Sequence, residues 1–137
     1  MSGQAPGAGG GRPLNLLIVD DSAMMRAMIR RAAGVCGVPM GEIFEAGNGR
    51  EAIAVLESQT VDALFTDINM PVMTGTELLR AIEQDGRWPT LLRVIISTDG
   101  SSSRRAEADK LHVRLYIEKP FRPEVMRDVL SVLTSHA

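Results

Sequence analysis

Leu16-Leu17-Ile18-Val19-Asp20-Asp21-Ser22-Ala23-Met24-Met25-Arg26 is the stretch whose reading organises the rest of the chain. It begins with a continuous apolar run, Leu16 to Val19, with no polar alternation. That pattern belongs to a strand buried on both faces rather than to one with a solvated side. The run stops abruptly at two carboxylates. Ser22 then offers a helix cap, and Met24, Met25, Met28, Ile29 and Ala32 recur at helical spacing. The three methionines read as core filling. Gly34, Gly37 and Pro39 end the helix. The unit is therefore a buried strand, an acidic turn and an amphipathic helix.

The same unit recurs along the chain. Ile43 to Ala46 reads as a second strand, Gly47-Asn48-Gly49 as a turn, and Ala52, Val55 and Leu56 stripe the next helix. Ala63 to Thr66 is a third strand that ends at Asp67, and a loop with Pro71 and Gly75 leads to a helix carrying Leu78, Leu79 and Ile82. Val94 to Ile96 and Leu115 to Ile117 are the fourth and fifth strands. Pro123 suits the first position of a last helix, with Val125, Met126, Val129 and Leu133 on one side. Between the last two strands, Gly100 to Lys110 must form a helix to keep the alternation, yet its only apolar residues are Ala106 and Ala108. It is expected to be marginal and mobile. Strands alternating with helices imply right-handed crossovers and a parallel sheet covered on both faces. The fold class is thus α/β, a doubly wound (βα)5 chain with a five-stranded parallel sheet, expected in the order 2-1-3-4-5.

Composition bounds the function. The 137 residues make one ordinary domain, with 45% hydrophobic and 23% charged residues. Fifteen Lys and Arg against seventeen Asp and Glu leave a net charge of −2, so no basic excess points to nucleic acid or to an anionic membrane. Cys36 is the one cysteine, which excludes an internal disulfide and a cysteine-built metal site. It reads as a small apolar residue at a helix end, and Trp88 as a packing anchor in a polar loop. No apolar run reaches the roughly 18 residues of a membrane span, and no signal peptide opens the chain. A soluble, cytoplasmic domain is expected. Residues 1–13, rich in glycine, read as a flexible tail, with the folded domain at 14–137.

In open parallel sheets ligands bind beyond the carboxyl ends of the strands. The residues found there are Asp20 and Asp21 after the first strand, Asp67 after the third, Ser97, Thr98 and Asp99 after the fourth, and Glu118, Lys119 and Pro120 after the fifth. Asp20, Asp21 and Asp67 sum to −3, and Lys119 returns one positive charge. Two carboxylates about 5 Å apart repel by roughly 3 kcal/mol at an effective dielectric of 20. Such a cluster takes up a proton or binds a cation. Oxygen ligands suit Mg2+, which favours a phosphate partner, and the lack of Cys or His among these residues argues against zinc. An aspartate beside a metal and an ammonium is equipped to attack phosphorus, with Asp67 as the nucleophile.

Four motifs stand in order, each at a strand end: VDDSAMMR at Val19 to Arg26, TDINMPVMTG at Thr66 to Gly75, VIIST at Val94 to Thr98 and YIEKPF at Tyr116 to Phe121. Together they resemble the response-regulator receiver domain of bacterial two-component signalling, in its stand-alone, CheY-like form. The resemblance runs from about Leu16 to the C-terminus. It implies a phosphorylation switch rather than an enzyme, one that assists only its own phosphoryl transfer and loss. Asp67 would accept a phosphoryl group from a histidine kinase or a phosphotransfer protein. Asp21, Asp67 and the backbone carbonyl of Asn69 would ligate Mg2+ directly, with Asp20 acting through water. Lys119 would pair with the acceptor, in a Lys119–Pro120 cis peptide. Ser97 would be the switch hydroxyl and Tyr116 the switch aromatic. Asn69, Thr98 and Asp99 would tune hydrolysis. Output would run through the face of the fourth helix, fifth strand and fifth helix to a downstream protein, with no nucleic acid or membrane contact, no DNA-binding output domain, and a monomer or weak dimer as the working form.

The chain departs from that pattern at three places. His112 stands where glycine is usual, and a left-handed conformation there costs about 1 kcal/mol. Thr98 replaces a smaller residue, and the fourth helix is unusually polar. Two other classes fit the residues less well. A phosphohydrolase with an aspartate nucleophile commonly carries it in a DxD pattern after the first strand, which Asp20-Asp21 does not match. A phosphorylation-independent interaction module would be favoured by a broken acid cluster, and this one is intact.

Overall fold

Five parallel strands carry the architecture in a computed structural model that describes residues 13–135. They are β1 (Leu14–Val19), β2 (Met40–Ala46), β3 (Ala63–Thr66), β4 (Leu92–Ser97) and β5 (Leu115–Glu118). The helices that alternate with them are α1 (Ala23–Val35), α2 (Gly49–Ser58), α3 (Gly75–Asp85), α4 (Ser102–Lys110) and α5 (Pro123–Ser135). The sheet order is β2-β1-β3-β4-β5, the doubly wound order expected from the alternation. The expected tail at 1–13 lies outside the described residues apart from Pro13. Among the described residues no helix is long and apolar enough to cross a membrane.

Burial explains the order. β1, β3 and β4 occupy the middle and are almost wholly buried, as continuous apolar runs require. β2 and β5, with more exposed residues, form the edges. Side chains alternate between two cores. Leu16, Ile18, Phe65, Val94 and Ile96 pack under α1 and α5, while Leu17, Val19, Leu64 and Ile95 pack under α2, α3 and α4. Register then sets the site. Val19 lies opposite Thr66, so Asp20 and Asp67, the next residues, emerge side by side. Ser97 lies opposite Glu118, which brings Lys119 to the same edge.

Two expectations are corrected. Met24 and Met28 are not core filling, being 75% and 53% exposed; only Met25 is partly buried. The buried stripe of α1 runs through Ile29, Ala32 and Ala33; Met28 falls about a quarter-turn off it and Met24 more than a third of a turn. In α5, Met126, Val129, Leu130 and Leu133 are buried, whereas Val125 faces outward. Other local expectations hold. Ser22 caps α1 through its side chain, Cys36 is the C-cap of α1, Pro123 opens α5, and Lys119–Pro120 is cis. Trp88 Nε1 donates to the carbonyl of Leu56 at 3.3 Å, tying the α3–β4 loop to α2. His112 adopts φ 62°, the left-handed conformation for which glycine is usual.

Candidate functional site

The carboxyl edge of the sheet gathers the residues singled out above. One carboxylate oxygen from each of Asp20, Asp21 and Asp67 lies within 4.8 Å of the other two. Asp20 is 2% exposed, since its strand is central, whereas Asp21 turns outward at the start of the α1 turn. Lys119 Nζ donates to Asp20 Oδ2 at 2.8 Å and to Asp67 Oδ2 at 2.9 Å, bridging the first and third strands from the fifth. The other oxygens are committed to backbone: Asp20 Oδ1 accepts from Ser22 N at 2.9 Å, and Asp67 Oδ1 from Ile68 N at 2.7 Å. Burial would lower the Lys119 pKa, but the hydrogen bonds and charges of Asp20 and Asp67 outweigh it and hold the ammonium above its ordinary value. The cation is therefore permanently present at neutral pH.

The donor set fits a hard divalent cation. It offers carboxylate oxygens only, one deeply buried and one facing solvent, in a cluster whose negative charge exceeds that of its one ammonium. Asn69, two residues past Asp67, is exposed between the buried Ile68 and Met70. The loop after Asp67 is tight. Gly75, the first residue of α3, has no room for a Cβ because the Asp67 carbonyl occupies that space. Val72 in the same loop takes φ 71° while 71% exposed, a costly conformation for a β-branched residue and one that sequence patterning did not reveal.

On the far side of the cluster, Ser97 is fully buried, and its Oγ accepts from Asp99 N at 3.2 Å. Tyr116 is half-buried, with its hydroxyl donating to the Asp99 carbonyl. Burial first, and the nearby Asp99 charge second, raise the phenol pKa, so it remains a donor. Asp99 is thus held by both candidate switch residues. Its carboxylate caps the turn into α4, accepting from Ser101 N at 3.1 Å and from Arg104 Nε at 3.3 Å. Those bonds keep the Asp99 carboxyl below the usual carboxylate range, that from the Ser101 backbone foremost. Thr98 and Asn69 are exposed at the rim.

Two sets of residues escaped the sequence reading. Arg105 stacks over the Tyr116 ring at 4.5 Å and pairs with Glu118 at 3.0 Å. Arg26 reaches the carbonyl of Asp20 at 2.6 Å. Neither carries a local signal, because arginines on a helix usually signify only a solvated face.

Comparison with known proteins agrees with this geometry. Residues 16–131 match the family described as "Response regulator receiver domain". The chain is 35% identical over 121 residues to the chemotaxis protein CheY1 of Helicobacter pylori, covering 88% of this chain and 96% of that one. It is likewise 35% identical over 115 residues to the chemotaxis protein CheY of Pseudomonas aeruginosa, covering 84% and 91%. Among solved structures, the chemotaxis protein CheY4 of Vibrio cholerae superposes with a TM-score of 0.80 at 29% identity, covering 89% of this chain and 99% of that one. With the family matched over residues 16–131 and the fold shared with its solved members, the chain belongs to the response regulator receiver domain family and is a CheY-like receiver domain of two-component signalling.

Proposed function

We propose that the chain is a phosphorylation switch that takes a phosphoryl group on Asp67 from a histidine kinase or a phosphotransfer protein. The observation that carries this reading is the Lys119 ammonium bridging Asp20 and Asp67 at 2.8 and 2.9 Å within an acid cluster open to solvent at Asp21. In the transfer, a carboxylate oxygen of Asp67 attacks phosphorus, the P–N bond to the donor imidazole breaks with its electron pair going to nitrogen, and the ring, carrying a proton on its other nitrogen, leaves as neutral histidine. Asp20, Asp21, Asp67 and the Asn69 carbonyl would hold Mg2+, which supplies charge neutralisation for the phosphoryl oxygens. Lys119 supplies the second positive charge, already desolvated and aimed at the acceptor. Met24 and Met28 on α1 and Val72 in the β3–α3 loop leave apolar ground around the acids, suited to a donor protein's helix.

Phosphorylation takes the charge on Asp67 from −1 to about −2 and adds acceptor oxygens. Ser97 is drawn toward them and gives up its bond to Asp99 N. Asp99 also holds the Tyr116 hydroxyl and the first turn of α4, so release of one partner loosens the other two. Output then runs through α4, β5 and α5 to a downstream protein. Asn69 and Asp99 would flank the path of the hydrolytic water, the Asp99 carboxylate being engaged by Ser101 and Arg104, and Thr98 would narrow its entrance. The working setting of such a switch is the cytoplasm, as a monomer or weak dimer.

Intact-mass analysis after treatment with Mg2+ and a small acyl phosphate tests the proposal. One added phosphoryl group in the wild type and none in Asp67→Asn is expected. Labelling retained in Asp67→Asn would assign another acceptor, and phosphate released in large excess over protein would make the chain a phosphohydrolase.

A further inference from the structure

We infer that Arg26 is a positioning residue for the acid cluster, holding the Asp20–Asp21 peptide so that the exposed Asp21 carboxylate stays aimed at the cation. The inference rests on the Mg2+ reading above.

The two acids are anchored unequally. Asp20 is buried and fixed through both carboxylate oxygens, by Ser22 N and by Lys119. Its backbone N–H is fixed too, donating to the Ala46 carbonyl at 3.1 Å. Asp21 is exposed, and among the described residues its carboxylate has no hydrogen-bond or ion-pair partner. The direction in which Asp21 leaves the chain is therefore set by the peptide that joins it to Asp20. The carbonyl of that peptide accepts from Arg26 Nη1 at 2.6 Å, a short charge-assisted bond. Rotation of the peptide would carry the Asp21 carboxylate away from Asp67 and would break this bond.

Arg26 is itself held rather than free. Its side chain is 19% exposed, and its Nε donates to Glu45 Oε1 of β2 at 3.0 Å. Arg30, one turn along α1, donates to the other Glu45 oxygen at 2.7 Å and to the Ile43 carbonyl at 2.7 Å. Burial would raise the Glu45 pKa, but the bonds from Arg30 and Arg26 outweigh it and hold the carboxyl below its ordinary value. Glu45, shared with Arg30, offsets part of the Arg26 charge, so the guanidinium repels an occupant of the cation site less than a bare charge would. The planar fork matters here: one edge takes Glu45 while the other takes the carbonyl. A lysine carries the same charge without the fork.

A charge effect and a positioning effect predict opposite results. Mg2+ is titrated against wild type, Arg26→Lys, Arg26→Gln, Glu45→Gln and Asp21→Ala, following backbone amide shifts around Asp21 and Asp67. Thermal melts of each variant confirm folding. Both Arg26 variants are expected to bind Mg2+ roughly tenfold more weakly than wild type, with Glu45→Gln between them and wild type. The rate of phosphorylation by a small acyl phosphate should fall at low Mg2+ and recover at saturating Mg2+, a recovery that general loss of structure would not give. Wild-type affinity in Arg26→Lys, or tighter binding in Arg26→Gln, would overturn the inference, because charge alone would then account for Arg26. Wild type and Asp21→Ala binding Mg2+ equally would instead remove the metal assignment itself.

Discussion

Helices α3 and α4 lie against the same face of the sheet and are anchored by opposite means. α3 buries Leu78, Leu79 and Ile82, opens with a capping box between Thr74 and Glu77, and ends at Gly86 in the left-handed conformation. α4 buries only Ala108 and ends before His112, a non-glycine residue in that conformation. Ion pairs hold it instead: Arg80 with Glu107, Arg104 with Asp99, Arg105 with Glu118, and the Arg105 guanidinium over Tyr116. Apolar burial is worth about 1.5–3 kcal/mol for each large side chain, whereas an exposed ion pair contributes about 0–1 kcal/mol. α3 therefore belongs to the scaffold that keeps Asp67 in place. α4 rests on contacts that are cheap to exchange, which suits the output face proposed above.

The largest test of this contrast is Leu79→Ala. Leu79 is fully buried, so truncation should cost about 2–5 kcal/mol in urea unfolding. A loss below 1 kcal/mol would deny α3 its anchoring role. The helix ends come next. Gly86→Ala should destabilise by about 1 kcal/mol, since φ 78° is costly for any residue with a Cβ. His112→Gly should stabilise, by about 0.5 kcal/mol, because relief of the same cost is partly offset by losing the Glu83 contact at 3.0 Å. Destabilisation by His112→Gly would show that the Glu83 contact dominates.

Arg105→Ala should change global stability by less than about 1 kcal/mol. It should nonetheless accelerate amide hydrogen exchange across Ser102–Lys110, and added salt should do the same to the wild type while leaving α3 protected. Equal protection of both helices in high salt would erase the distinction. The smallest effect is in pH. Bonds from His112 and then from Arg93 hold the Glu83 carboxyl below its ordinary value. A depressed carboxyl stabilises above its unfolded pKa and loses that contribution as pH falls through the folded one. Exchange at the C-terminal end of α4 should accelerate as pH falls below about 4, after correction for intrinsic rates. Exchange that is flat across that range would detach Glu83 from α4.

Much of this was legible beforehand because strand burial and strand ends leave strong local signatures. The apolar runs from Leu16, Ala63 and Val94 marked the central strands, and each stops at a polar residue that faces the site. The polar composition of Gly100 to Lys110 marked the weakly packed helix, and His112 was recognisable as a residue in a glycine position. Met24 and Met28 were misread because helical spacing identifies a stripe but not its width, and only packing against α5 and the sheet showed that Ile29, Ala32 and Ala33 define it.

By itself the sequence determined the alternation, the parallel sheet and the set of acids, hydroxyl and ammonium at one edge. Periodicity and chain connectivity are local properties, so they survive without coordinates. Tertiary structure alone decided which polar groups share partners. Lys119, expected at Asp67, also takes Asp20 99 residues away, Arg26 crosses from α1 to a carbonyl beside Asp21, and Arg105 covers Tyr116. Such pairings depend on register and on rotamers chosen among several charged neighbours, and for exposed pairs such as Arg105 with Glu118 the choices differ by only about 1 kcal/mol. No pattern along the chain distinguishes choices that close in energy, and the packed fold selects one.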